Sequence, residues 1–75
     1  MNKARRQRIQ ELAEQVDAIK CQVEQVRDEE QEYHDNMPES LQGGEKGQAA
    51  EEAISSLESV IDNLDAAMND LGSIE

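Results

Sequence analysis

The chain has 75 residues with no Phe or Trp, one Tyr and one Cys, and its 18 acidic against 7 basic residues give a net charge of −11. This length holds one small domain, and a single cysteine excludes an intramolecular disulfide. So acidic a surface repels nucleic acid and anionic lipid over most of its area. Because the large apolar residues are few, the core is small, and we expect self-association to stabilise the fold.

The first predicted helix spans about residues 3–33, with Asn2 as its N-cap. Apolar residues recur along it at alternating spacings of three and four, which is typical of one face of an amphipathic helix. They are Ile9, Leu12, Val16, Ile19, Val23 and Val26. If Ile9 is position a of a seven-residue repeat, these residues fill the a and d rows. The pattern predicts a narrow seam that packs against another helix.

A loop is predicted over about residues 34–46, where the periodicity stops. Pro38 disfavours helical geometry at Met37, and with the residues that follow it predicts one short helical turn. Met37 and Leu41 then have two interpretations: they cover the open end of a helix pair, or they recognise a partner.

The second predicted helix spans about residues 47–72, with Gly72 as its stop. It carries three apolar rows, so its apolar face is wider than that of the first helix. The d row is Ala50, Leu57, Leu64 and Leu71, and the a row is Ile54, Ile61 and Met68. The third row, at g, is Ala53, Val60, Ala67 and Ile74, which we predict to be a dimer interface.

These elements predict an all-α fold: an antiparallel two-helix hairpin in a single domain, residues 1–75, that dimerises into a four-helix bundle. The apolar levels of the two helices match, for example Val16 with Leu64 and Val23 with Leu57. The same pairing brings the basic segment 1–8 beside Asp65 and Asp70, where opposite charges offset each other.

Catalytic and metal chemistry are not indicated. His34 is the only histidine, and no base and orienting acid assemble around Cys21. Glu30, His34 and Asp35 lack a second ligand motif, so neither a metal nor another cofactor is expected. Cys21 lies outside the seam as a free thiol, which is typical of a reducing compartment. With no apolar run of targeting or membrane-spanning length, we expect a cytoplasmic protein without membrane contact.

The acidic surface suggests a basic or DNA-binding protein partner and no direct contact with nucleic acid. Candidate protein-binding residues lie on the loop and on the acidic end beside it: Glu29, Glu32, Asp35, Met37, Pro38 and Leu41. The leading hypothesis is a non-enzymatic interaction protein that regulates or inhibits its partner. Two alternatives stay open: a DNA mimic that inhibits a DNA-binding protein, and a structural coiled-coil adaptor or assembly protein.

Four segments also resemble small acidic helical proteins of unknown function encoded by bacteriophages and prophages. They are residues 1–6 (MNKARR), 27–33 (RDEEQEY), 35–42 (DNMPESLQ) and 50–54 (AEEAI). The resemblance spans nearly the whole chain, and its loop segment is the most specific part. It implies a phage gene product in a bacterial cytoplasm and assigns no site.

Overall fold

The structure, a computed structural model, describes Met1–Ile74 and contains three helices. They are α1 (Lys3–Asp35), α2 (Glu39–Gln42) and α3 (Glu45–Gly72). The long helices α1 and α3 pack against each other in an elongated body of 59 × 14 × 11 Å. The prediction of an all-helical chain folded as a hairpin is thereby confirmed, and α3 is the second helix expected from the sequence.

Both ends of α1 follow from local chemistry. The Asn2 side chain accepts a hydrogen bond from the backbone N–H of Arg5 at 2.8 Å and so caps the helix. At the other end, Asn36 donates its N–H to the carbonyl of Glu32 at 3.0 Å. The helix therefore extends to Asp35, slightly beyond the expected residue 33, and stops before Pro38 restricts its neighbour.

The turn between the long helices is held by one side chain and one glycine. The Gln42 amide donates to the carbonyls of His34 at 3.2 Å and Met37 at 3.1 Å, which ties α2 to the end of α1. Gly47 in the first turns of α3 is buried against α2. A Cβ at this position would overlap the backbone of Gln42, so only glycine allows α3 to begin so close to α2.

The core lies mainly on α3. Its fully buried apolar residues are Ala50, Ile54 and Ile61, all on the predicted a and d rows, and Leu57 and Leu64 are half-buried beside them. No residue of α1 is fully buried. A core this small leaves a lone hairpin with little apolar burial to offset the conformational entropy of folding.

The seam of α1 differs from the predicted one. Leu12, Ile19 and Val26 on the d row are 47%, 50% and 50% exposed, whereas Lys20 and Arg27 on the e row are half-buried. Thus α1 contacts α3 with its a and e rows, and the prediction that its d row fills the seam is wrong. The physical reason is that the aliphatic stems of Lys20 and Arg27 cover α3 while their charged ends reach the solvent edge.

Candidate interaction surface

One edge of the hairpin is polar and charged. The Lys20 ammonium contacts the Asp65 carboxylate at 3.0 Å, and His34 Nε2 lies 3.2 Å from Glu51 Oε1. All four residues occupy e positions of the repeat, as expected where the e rows of antiparallel helices face each other. Asp65, expected beside the basic segment 1–8, therefore pairs further along α1. We call this edge, between the e rows of α1 and α3, the charged edge.

The Lys20–Asp65 contact also changes the pKa of Lys20. The hydrogen bond that the Lys20 ammonium donates to Asp65 raises the pKa of Lys20 above its ordinary value of 10.5. Desolvation opposes this shift, and the negative charges of Asp65 and Glu24 add to it. Lys20 is therefore positively charged at neutral pH and throughout the physiological range. Arg27, one heptad further along, contacts its neighbour Asp28 at 3.0 Å.

The opposite side of the hairpin is apolar. Because the e rows meet on one edge, helix geometry places the d row of α1 and the g row of α3 together on the other. We call this surface the apolar side. It consists of Leu12, Ile19, Val26 and Tyr33 on α1 and of Ala53, Val60 and Ala67 on α3. Val60 is 42% exposed, and the four α1 residues are about half exposed, so within Met1–Ile74 nothing covers this surface fully.

The two rows of the apolar side run beside each other along the hairpin. The Lys20–Asp65 and His34–Glu51 contacts, together with the depression that Met68 lines with residues 10 to 17 of α1, place α3 against α1. The middle of the d row, at Ile19, therefore lies within about one helical turn of Val60, the middle of the g row. The result is one apolar strip to which each helix contributes residues at heptad spacing.

Three of the four predicted dimer-interface residues belong to the apolar side. Ala53 and Ala67 are half-buried, and Val60 is among the exposed large apolar residues. Ile74 does not join them, because α3 ends at Gly72 and the helical repeat stops there. Its side chain is 45% exposed and lines an open depression of about 580 Å³ with Ala13 and Gly72 near the chain termini.

The predicted protein-binding residues fall into two groups. Met37, Pro38 and Leu41 come together with Tyr33 around an open depression of about 360 Å³ at the loop end of the apolar side. The acidic candidates are all exposed but do not converge: Glu29 borders the apolar side on the g row, whereas Glu32 and Asp35 lie on outer rows. The structure therefore joins the apolar candidates into one surface and leaves the acidic ones dispersed.

The groups with chemical reactivity lie far apart. His34 is mostly buried between Asp35 and Glu51, with its Nδ1 making no hydrogen bond. Cys21 is exposed on the f row, 13 residues away along α1, which is about 20 Å at the rise of an α-helix. A thiolate–imidazole pair is therefore not assembled. Within Met1–Ile74, no three side chains of the metal-ligating types cluster in a way that holds an ion.

Sequence reasoning missed the exposed d row of α1. The pattern that reveals it is the e row, which carries Lys20, Arg27 and His34 on α1 against Glu51, Glu58 and Asp65 on α3. Complementary charges at e in an antiparallel pair draw those rows together and turn the d row outward.

Comparison with protein-family models, with curated proteins and with solved structures gives no match for this chain. None of the helices within Met1–Ile74 combines the length and the apolar character that a bilayer crossing requires.

Proposed function

We propose that this chain is a non-enzymatic interaction protein that binds a helical surface of another protein chain through its apolar side. The observation that carries the proposal is the exposed apolar surface formed by the d row of α1 and the g row of α3. An extended apolar surface rimmed by polar residues is typical of protein–protein contact sites. Two further helices laid on it complete a four-helix bundle.

The shape of the surface favours a helical partner over a small molecule. The depressions along the hairpin are open and shallow, whereas small-molecule sites enclose most of their ligand. Rows of apolar residues at heptad spacing instead match the rows of a facing helix. Tyr33 and Leu41 extend the surface to the loop, so that the partner contacts both the helices and the turn.

The acidic outer surface has a supporting role in this proposal. Glu51 and Asp65 are engaged with His34 and Lys20 on the charged edge, and the remaining carboxylates are dispersed around the hairpin. They keep the protein dissolved. The proposal therefore favours the coiled-coil adaptor among the functions expected from the sequence. A host or phage protein in a bacterial cytoplasm is the partner that the resemblance to phage-encoded proteins implies.

The test is affinity capture from a bacterial lysate with matched variants. Immobilised wild-type protein is expected to retain a partner at high salt, because apolar contacts tolerate salt. Val60→Glu places a charge in the middle of the apolar side and should abolish capture. Ser59→Glu adds the same charge on the neighbouring outer row and should leave capture intact. Retention by Val60→Glu, or loss of capture on raising the salt, would contradict the proposal and favour binding through the acidic surface.

A further inference from the structure

We infer that the occupant of the apolar side is a second copy of this chain, inverted end to end. The inference rests on the proposed function, since it names the partner of the same surface. Two hairpins meet through their apolar sides about a two-fold axis that crosses the long direction near Ile19 and Val60. In this arrangement α1 lies antiparallel on α1 of the second copy, and α3 on α3.

The area of the surface suits a stable dimer. From Leu12 to Tyr33 the apolar side is about 32 Å long, and two helices of about 10 Å diameter make it about 20 Å wide. The product is roughly 600 Å² per copy, or about 1,200 Å² for two copies, which reaches the lower end of the range for stable interfaces. Burying this surface also supplies the apolar contacts that the three-residue core of the single hairpin lacks.

The rows match themselves when inverted. On α1 the order Leu12, Ile19, Val26 has large aliphatic residues placed symmetrically about Ile19. On α3 the order Ala53, Val60, Ala67 is symmetric about Val60. The two centres lie within about one helical turn of each other along the hairpin, so one two-fold axis passes near both. An isologous interface requires this self-complementarity.

A non-inverted dimer, with α1 on α3 of the second copy, would also bury the apolar side. The distribution of charge favours the inverted dimer over this one. Residues 20–60, the loop half, hold 3 basic and 11 acidic residues, so they net −8. The half formed by residues 1–19 and 61–75 holds 4 basic and 7 acidic residues and nets −3. Without inversion the two −8 halves lie together. Inversion places each against a −3 half, which lowers the repulsion.

The g row of α1 borders the apolar side, and its charge also becomes more negative toward the loop. It carries Arg8 at one end, Gln15 and Gln22 in the middle, and Glu29 at the other end, all exposed. Inversion sets Arg8 of each copy near Glu29 of the other and the two glutamines near each other. The two-fold axis therefore forms two oppositely charged contacts, one on each side of the centre.

The first experiment measures mass by sedimentation equilibrium. The wild-type protein is expected at twice the 8.4 kDa chain mass, with a dissociation constant that falls as salt rises, because salt screens repulsion between two chains of net charge −11. Val60→Glu should weaken the dimer more than about 100-fold. Ile19→Glu is a second variant of the same surface and should weaken the dimer equally. Circular dichroism of each variant shows whether it is folded and so separates unfolding from dissociation. The matched control Ser59→Glu should remain a dimer.

The second experiment tests the inversion with a short thiol-reactive cross-linker in a Cys21→Ser background. Only residues close to the two-fold axis come within reach of their own copies, so Ile19→Cys alone and Val60→Cys alone should each give covalent dimers. The wild-type protein is the control, because Cys21 lies on the outer f row and should give none. A non-inverted dimer would instead cross-link only when the Ile19→Cys and Val60→Cys proteins are mixed.

The outcomes distinguish this inference from the proposed function. A monomer at all concentrations overturns the second copy as occupant, and lysate capture that is sensitive to Val60→Glu then still supports the proposed function. A dimer that cross-links only in the mixture overturns the inversion. A dimer that Val60→Glu and Ile19→Glu both leave intact overturns the apolar side as the interface, and the proposed function with it.

Discussion

Replacing Gly47 with alanine tests how the turn positions the two long helices. A Cβ at Gly47 would overlap the carbonyl group and the Cα of Gln42, which are backbone atoms and cannot move aside by rotating a side chain. Overpacking of this kind costs up to about 3 kcal/mol. The better helix propensity of alanine returns about 1 kcal/mol. We therefore expect Gly47→Ala to lower the free energy of unfolding by about 2 kcal/mol.

The assay is urea unfolding followed by circular dichroism at one fixed protein concentration, since association couples stability to concentration. With a slope of about 1 kcal/mol/M for so small a protein, the midpoint should fall by about 2 M. Gly43→Ala is the matched control, because no atom lies within 4 Å of its added Cβ. That variant should unfold within about 1 kcal/mol of the wild type. An unchanged or higher midpoint for Gly47→Ala would refute the close approach of α3 to α2.

Three further predictions concern single side chains. Asn2→Ala removes the cap of α1 and should lower the free energy of unfolding by about 1 kcal/mol, measured by urea unfolding; no loss would mean that the cap does not form in solution. Gln42→Ala leaves the carbonyls of His34 and Met37 without their shared donor and should cost about 1–2 kcal/mol, whereas Gln25→Ala, on an exposed position of α1, should be nearly neutral. Because the hydrogen bond to Asp65 raises the pKa of Lys20, the stabilisation from this pair is fully present below pH 10.5 and is lost as pH rises through the raised value. Lys20→Met should therefore flatten the alkaline fall of the urea midpoint above pH 10.5, and an equally steep fall in the variant would contradict the pairing.

The helices and the turn could be predicted from local sequence because local rules determine them. Asn2 is a good N-cap residue, Pro38 disfavours helix at the residue before it, and the heptad spacing of apolar residues on α3 marks its buried face. Each of these effects acts over a few residues of chain. The structure accordingly shows helices close to the expected spans, including the short helical turn after Pro38.

The rotation of α1 could not be predicted from apolar spacing alone. Helix α1 can face α3 with its a and d rows or with its a and e rows, and Val16 and Val23 are buried in both cases. The apolar pattern therefore gives the two rotations of α1 nearly equal support. What separates them is the match of Lys20 and His34 with carboxylates on α3, a contact between residues far apart in sequence. The position of Ile74 was missed for a different reason: the heptad was extended past Gly72, where the helix ends.

The central claim is that the e rows of α1 and α3 face each other within one chain, since this places the apolar rows together on the other side. Carbodiimide cross-linking tests it directly, because the reagent joins an amine only to a carboxylate in contact with it. A mixture of nitrogen-15-labelled and unlabelled protein separates links within a chain from links between chains. We predict a Lys20–Asp65 link in which the two joined peptides are either both labelled or both unlabelled, because both come from one chain. A Lys20–Asp65 product of mixed labelling, or Lys20 linked only to carboxylates of α1, would contradict the hairpin as described.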